Sequence, residues 1–189
     1  MSNGFPTDRN LTFFGAIREP RTTNFRSALC AMVNEGAKKI TILFASEGGS
    51  TDDGIALFTY LRALPVELTM HAIGVVSSIA VPVFLAAGKS QRLASAHSRF
   101  YFHDYNWTFG AQMVGRPAIA EAALLLSNAL DWTKDILKTE TKLSEDQLKS
   151  MKMFEEPHVM FPAEAAKIGL ASAVAEPSIT PGSQPRVVA

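Results

Sequence analysis

A chain of 189 residues with 47% hydrophobic and 19% charged residues is long enough to bury one sizeable core. Eighteen basic residues balance eighteen acidic ones, so a polyanion-binding surface has no basic excess to draw on. The single cysteine, Cys30, rules out an intrachain disulfide framework, no apolar run approaches the roughly 18 residues that cross a bilayer, and the first residues lack a signal-peptide pattern, so the expectation is a soluble cytoplasmic domain with neither nucleic-acid nor membrane partners.

Residues 1–10 are polar, with Gly4 and Pro6, and predict a flexible arm. A single domain is then predicted over residues 11–175. Leu11–Ile17 reads as a short apolar strand. Phe25, Leu29, Met32 and Val33 recur at helical spacing, with Thr22 or Thr23 as cap and Gly36 as stop. Lys39–Ala45 is β-branched and nearly all apolar, which suits a strand buried on both faces of a parallel sheet. The turn Ser46–Ser50 leads into a helix that Pro65 ends. Glu67–Ile73 predicts a strand, Gly74–Ser78 a turn and Ile79–Ala87 a compact apolar helix. Gln91–Ala94 and the aromatic-rich Arg99–His103 predict two more strands, followed by a loop. Pro117 opens a long helix to about Thr139, Ser144 starts a short one, and Phe161–Gly169 forms the last before a strand-like end at Ala175. Residues 176–189 carry three prolines and no periodicity, which predicts a disordered tail. Alternating strands and helices with short connections give an α/β fold with right-handed crossovers.

Three places can carry chemistry. Gly48-Gly49, after a buried strand, can bring backbone N–H groups close to a ligand, although a plain strand-to-helix turn uses glycine equally well. Ser78 precedes an apolar helix, where the N–H of Ile79 is free to donate; a lone serine there is far more often only a cap. His103 ends a strand, the side on which α/β folds open their clefts, though a structural histidine is the commoner occupant. His71, inside a strand, and His97, in a polar turn, are less well placed. No dinucleotide, phosphate-loop or metal-ligand spacing is present, so neither cofactor nor metal is expected.

Taken together, Ser46-Glu47-Gly48-Gly49, Gly74-Val75-Val76-Ser77-Ser78 and Ser98-Arg99-Phe100-Tyr101-Phe102-His103 resemble the motifs S-P-G-G, G-Q-A-A-S-M-G and S-R-x-x-x-H of the Clp protease proteolytic subunits (the ClpP family), at the family's ungapped spacing. Leu85-Ala86-Ala87-Gly88 and the stretch from Ala163 to Leu170 resemble two further family motifs, so the likeness runs from about Leu11 to Val174. The resemblance implies a ClpP/crotonase-like fold of repeated β-β-α units, with residues 117–139 as a protruding handle helix. It implies a serine endopeptidase with Ser78 as nucleophile, His103 as general base and the N–H groups of Gly49 and Ile79 as oxyanion hole. It also implies stacked rings of identical subunits, commonly two heptamers forming a tetradecamer, that take peptides or unfolded proteins. The segment before the first strand is short beside the family's ATPase-docking parts, which leaves partnership with a Clp-type ATPase open.

The family's aspartate falls on Pro157. Glu155, Glu156 and His158 are the neighbours that could replace it, and a one-residue shift would give the role to Glu156. Asp104 is disfavoured because adjacent strand residues point to opposite faces. A Ser–His dyad is the alternative. Two other functions stand beside the peptidase: an inactive regulatory or assembly subunit, favoured by the missing aspartate, and a crotonase-type acyl-CoA enzyme, which would need a placed glutamate that no motif supplies.

Overall fold

The structure is a computed structural model and describes residues 7–111, 113–152, 154–179 and 186–188. Its framework is one sheet. Strands β1 (Asp8–Phe14), β2 (Lys39–Ser46) and β3 (Glu67–Ser77) lie parallel in its middle. Helices α1 (Arg21–Asn34) and α2 (Thr51–Ala63) make the crossovers between them. After β3 comes the short helix α3 (Ala80–Phe84), then β4 (Arg92–Ala94) and β5 (Arg99–Phe102), both parallel to β3. The long helix α4 spans Arg116–Glu140 and is followed by α5 (Glu145–Ser150), β6 (His158–Met160), α6 (Pro162–Lys167), β7 (Ala173–Val174) and β8 (Arg186–Val188). The sheet order is β6-β5-β3-β2-β1-β8, with β4 beside β3 and β7 beside β4. Only β6 runs antiparallel within these pairings, against β5. This is an α/β fold built on a mostly parallel sheet, as expected.

The core follows from the apolar runs. Phe13 of β1, Phe44 of β2 and Phe25 of α1 are fully buried, with ring centroids 4.9 and 5.4 Å apart. Phe84 of α3 meets Phe100 of β5 at 5.2 Å, which seats α3 on the sheet directly after Ser78. Arg92 is 0% exposed and ties two helix ends together. Its guanidinium donates to the carbonyls of Leu85 and Ala87 beyond α3 (2.9 Å each) and to the carbonyl of Glu140 at the end of α4 (2.7 Å). It also pairs with the Glu140 carboxylate, which Arg62 of α2 holds from the other side at 2.9 Å. A cation among the terminal carbonyls of two helices is favoured by both helix dipoles.

Several expectations change. The supposed arm over residues 1–10 already enters β1 at Asp8, because its Thr7–Asn10 segment pairs with the start of β2; residues 1–6 lie outside the described set. The supposed disordered tail contains β8, which covers the outer edge of β1; residues 180–185 and 189 lie outside the described set. Neither Thr22 nor Thr23 caps α1: the N-cap is Pro20, and both threonine hydroxyls donate to the Glu19 carboxylate instead. The turn expected at 74–78 is strand as far as Ser77, and β6 was not foreseen.

Helix α4 is not a core helix. Ala122, Ala129, Thr133, Ile136 and Leu137 are buried, while Ile119, Leu124 and Leu125 of its first half are 51%, 61% and 40% exposed. Among the described residues no helix is long and apolar enough to cross a membrane.

Candidate active site

The glycine turn is built by hydrogen bonds at both ends. Ser46 is buried at the end of β2, and its Oγ accepts the N–H of Gly48 at 3.1 Å. The Gly48 carbonyl accepts the N–H of Ile17 (2.8 Å), and the N–H of Ser50 donates to the Ile17 carbonyl (2.9 Å). This parallel bridge turns the N–H of Gly49 away from Ile17. Among the described residues that N–H meets no protein acceptor. Gly48 has φ +94°, and a Cβ there would lie 2.8 Å from both the Ser77 carbonyl oxygen and the Ser78 Cβ. A side chain at Gly49 would run into the Ile17 carbonyl. Glycine is therefore required by contact as well as by backbone angle.

Ser78 follows β3 in a left-handed conformation, φ +56°, rare for a residue with a side chain. Its N–H donates to the Tyr101 carbonyl of β5 at 3.0 Å, and its carbonyl starts the helical turn by accepting the N–H of Val81 at 3.0 Å. The neighbouring Ser77 is a buried strand residue facing Tyr101 in the ladder, whereas Ser78 is half-buried and open to solvent. Ile79 is the N-cap of α3 with its side chain fully buried; its N–H meets no acceptor among the described residues. Two uncommitted N–H groups, from Gly49 and Ile79, thus flank a serine held in a strained turn.

His103 lies one residue beyond β5, on the strand that pairs with β3, so Ser78 and His103 stand at the same end of neighbouring parallel strands. Its ring lies 5.4 Å from that of Tyr101. Nδ1 is hydrogen-bonded to the Asp104 carbonyl, and since a carbonyl only accepts, Nδ1 carries the proton, which in the neutral ring leaves the lone pair on Nε2. No hydrogen bond joins Ser78 Oγ to His103 in this state.

Among the described residues no side-chain acid stands behind the ring. Glu156 is exposed and pairs with Lys152 at 3.3 Å, not with His103. The ladder explains this. Phe102 faces His158 and Tyr101 faces Val159, so continuing the register by one residue sets His103 against Pro157 and sends Glu156 to the other face. His158 lies on that other face too, its ring 6.3 Å from Phe102, with Nε2 buried and without a partner among the described residues. Glu155 and Asp104 line a cavity of about 560 Å³ between α4 and α5, and the Asp104 carboxylate accepts the N–H of Tyr105 at 2.8 Å. Among the described residues no cluster of His, Cys, Asp and Glu suits a metal ion.

A second serine–histidine pair lies elsewhere. His71 of β3 is buried, its Nε2–H donates to the Ala175 carbonyl at 2.9 Å, and Ser95 Oγ lies 3.4 Å away. Burial pushes the His71 pKa down, partly countered by the Ala175 carbonyl. This pair stitches the chain after β7 to β3 and has no open approach for a substrate. The motif reading missed Ile17 and the Ser46 hydroxyl as supports of the glycine turn, and the Asp104 carbonyl as the partner of His103. Only Ser46 had a sequence signal, its place two residues before Gly48.

The family model described as Clp protease matches residues 3–178. An ATP-dependent Clp protease proteolytic subunit 1 of Chlamydia pneumoniae is 27% identical over 111 residues, covering 59% of this chain and 52% of its own length. A proteolytic subunit 2 of the same organism is 30% identical over 98 residues, covering 51% and 48%. The chain spans about half the length of the curated relatives it matches. Among solved structures, a point mutant of ClpP1 from Listeria monocytogenes superposes with a TM-score of 0.78 at 18% identity, over 93% of this chain and 95% of that one, a likeness of fold.

Proposed function

Since the chain belongs to the Clp protease family, as a divergent member, we propose that it is a serine endopeptidase acting through a Ser78–His103 dyad. The observation that carries the proposal is Ser78 in its left-handed turn, with uncommitted N–H groups at Gly49 and Ile79 and a histidine at the end of the adjacent strand. His103 Nε2 takes the Ser78 hydroxyl proton as Oγ attacks the peptide carbonyl carbon. The carbonyl oxygen becomes an oxyanion and accepts from the two N–H groups; losing one such donor typically costs about 10² to 10³ in rate. The imidazolium then gives its proton to the departing amine, the C–N bond breaks, and an acyl-serine ester remains. Water, deprotonated by the same Nε2, hydrolyses that ester and restores the hydroxyl.

The exposed first half of α4 supports assembly of copies into a ring structure that would enclose the site, with peptides or unfolded proteins as substrates. Partnership with a Clp-type ATPase belongs to the same reading. A second reading, an inactive assembly subunit, is favoured by one observation: the Glu156 carboxylate pairs with Lys152 and not with His103. Fluorophosphonate labelling separates the two. Labelling of the wild type and none of Ser78→Ala is expected. An unlabelled wild-type assembly, or labelling that survives Ser78→Ala and disappears in Ser77→Ala, overturns the assignment.

A further inference from the structure

His103 lies outside the ladder that fixes its neighbours. β5 ends at Phe102, and the described residues from there to Gly115 form no helix or strand. A general base at such a place needs another source of orientation, and among the described residues no acid side chain supplies it. Its Nδ1–H meets instead the carbonyl of Asp104. That carbonyl belongs to a short turn: Asp104 Oδ1 accepts the N–H of Tyr105 at 2.8 Å, and Asn106 Nδ2 donates to the Asp104 oxygen at 3.3 Å.

The turn is anchored at one residue. Tyr105 is 6% exposed, and its hydroxyl forms a 2.7 Å hydrogen bond with Thr133 Oγ1 of α4, itself 1% exposed. Burial pushes the Tyr105 hydroxyl pKa up to about 12, so the group is neutral and depends on its partner. A buried hydroxyl stripped of its partner loses hydrogen bonding that water cannot replace, which makes this pair a firm tether for the turn.

We propose that Tyr105 and Thr133 are positioning residues for His103: their hydrogen bond fixes the Asp104 carbonyl against Nδ1–H, and so keeps Nε2 unprotonated and aimed as the base. A backbone carbonyl thereby takes over the orienting part of the missing acid's role. The inference rests on the peptidase reading for its catalytic meaning, but the geometry it describes can be measured without activity.

The test uses the full chain with Tyr105→Phe, Thr133→Val, the double variant and the conservative Thr133→Ser. Two quantities are read. One is the tautomer of His103 by nitrogen NMR on histidine-labelled protein, assigned with His103→Gln, with the His71 signal reporting an intact fold. The other is kcat and KM for a model peptide. In the wild type and in Thr133→Ser, His103 is expected as the Nδ1–H tautomer. In Tyr105→Phe and Thr133→Val the tautomers mix and kcat falls about tenfold or more at unchanged KM, since a mis-set tautomer removes the base. The double variant loses no more than either single one, because both break the same bond. An unchanged His103 tautomer and kcat in both single variants overturns the proposal, as does a loss seen only in KM. Should the wild type hydrolyse no peptide while the tautomer still responds to Tyr105→Phe, the positioning pair stands and the peptidase reading falls.

Discussion

Ser78 and Gly48 are a matched pair. The serine's left-handed backbone lifts its side chain toward solvent, and the glycine leaves the space into which the Ser78 Cβ fits. Gly48→Ala would add a Cβ 2.8 Å from Ser78 Cβ in a backbone conformation that disfavours side chains. We expect it to lower stability by about 1–3 kcal/mol and to slow fluorophosphonate labelling strongly. Thermal unfolding and labelling rates measured side by side check this, and wild-type labelling in Gly48→Ala would contradict it. The two glycines, the serine and the histidine were legible in the sequence because each sits where a motif and a secondary-structure boundary coincide. The orienting partner of His103 was not. It is a main-chain carbonyl, which any residue at position 104 could provide, and the register that sends Glu156 to the far face exists only once β6 is paired with β5.

Among the elements, the apolar runs predicted α1, β2, α2 and α4 to within a few residues, since burial repeats at each element's own period. Strands β6 and β8 escaped, at three residues each, because their pairing depends on distant partners rather than on local pattern. Arg92 gave no signal either, as a lone arginine after Gln91 reads as surface. Arg92→Met leaves three helix-end carbonyls without their donor and is expected to cost about 3–5 kcal/mol, with Arg92→Lys recovering part. Urea unfolding measures both; a loss under 1 kcal/mol would mean that the network is dispensable. The seam between β3 and the chain after β7 adds a pH effect. His71 binds its proton less readily folded than unfolded, where its pKa is near 6.5. The unfolded state therefore takes up more protons in acid: stability is unaffected well above pH 6.5 and falls as the pH drops through and below it. Melting curves between pH 8 and pH 5 are expected to show this loss in the wild type and a smaller one in His71→Gln. An identical slope in both would remove His71 as its source.

For the whole molecule, the decisive surface is the first half of α4, where Ile119, Leu124 and Leu125 are open to solvent. Apolar surface of that kind marks an interaction site. We expect light scattering to report a large assembly for the wild type and a smaller one for Leu124→Lys combined with Ile119→Lys; a wild-type monomer of about 20 kDa at micromolar concentration would contradict it. The closure of the sheet by β8 bears on how the chain is made. The outer edge of β1 emerges from the ribosome early, but residues 186–188, which cover it, are synthesised long afterwards. For most of its translation the nascent chain carries an open strand edge, a template on which other nascent chains can aggregate. Slow translation, or a stop before Arg186, would lengthen that exposure, so the demand for chaperones should depend on how promptly codons 186–188 are read.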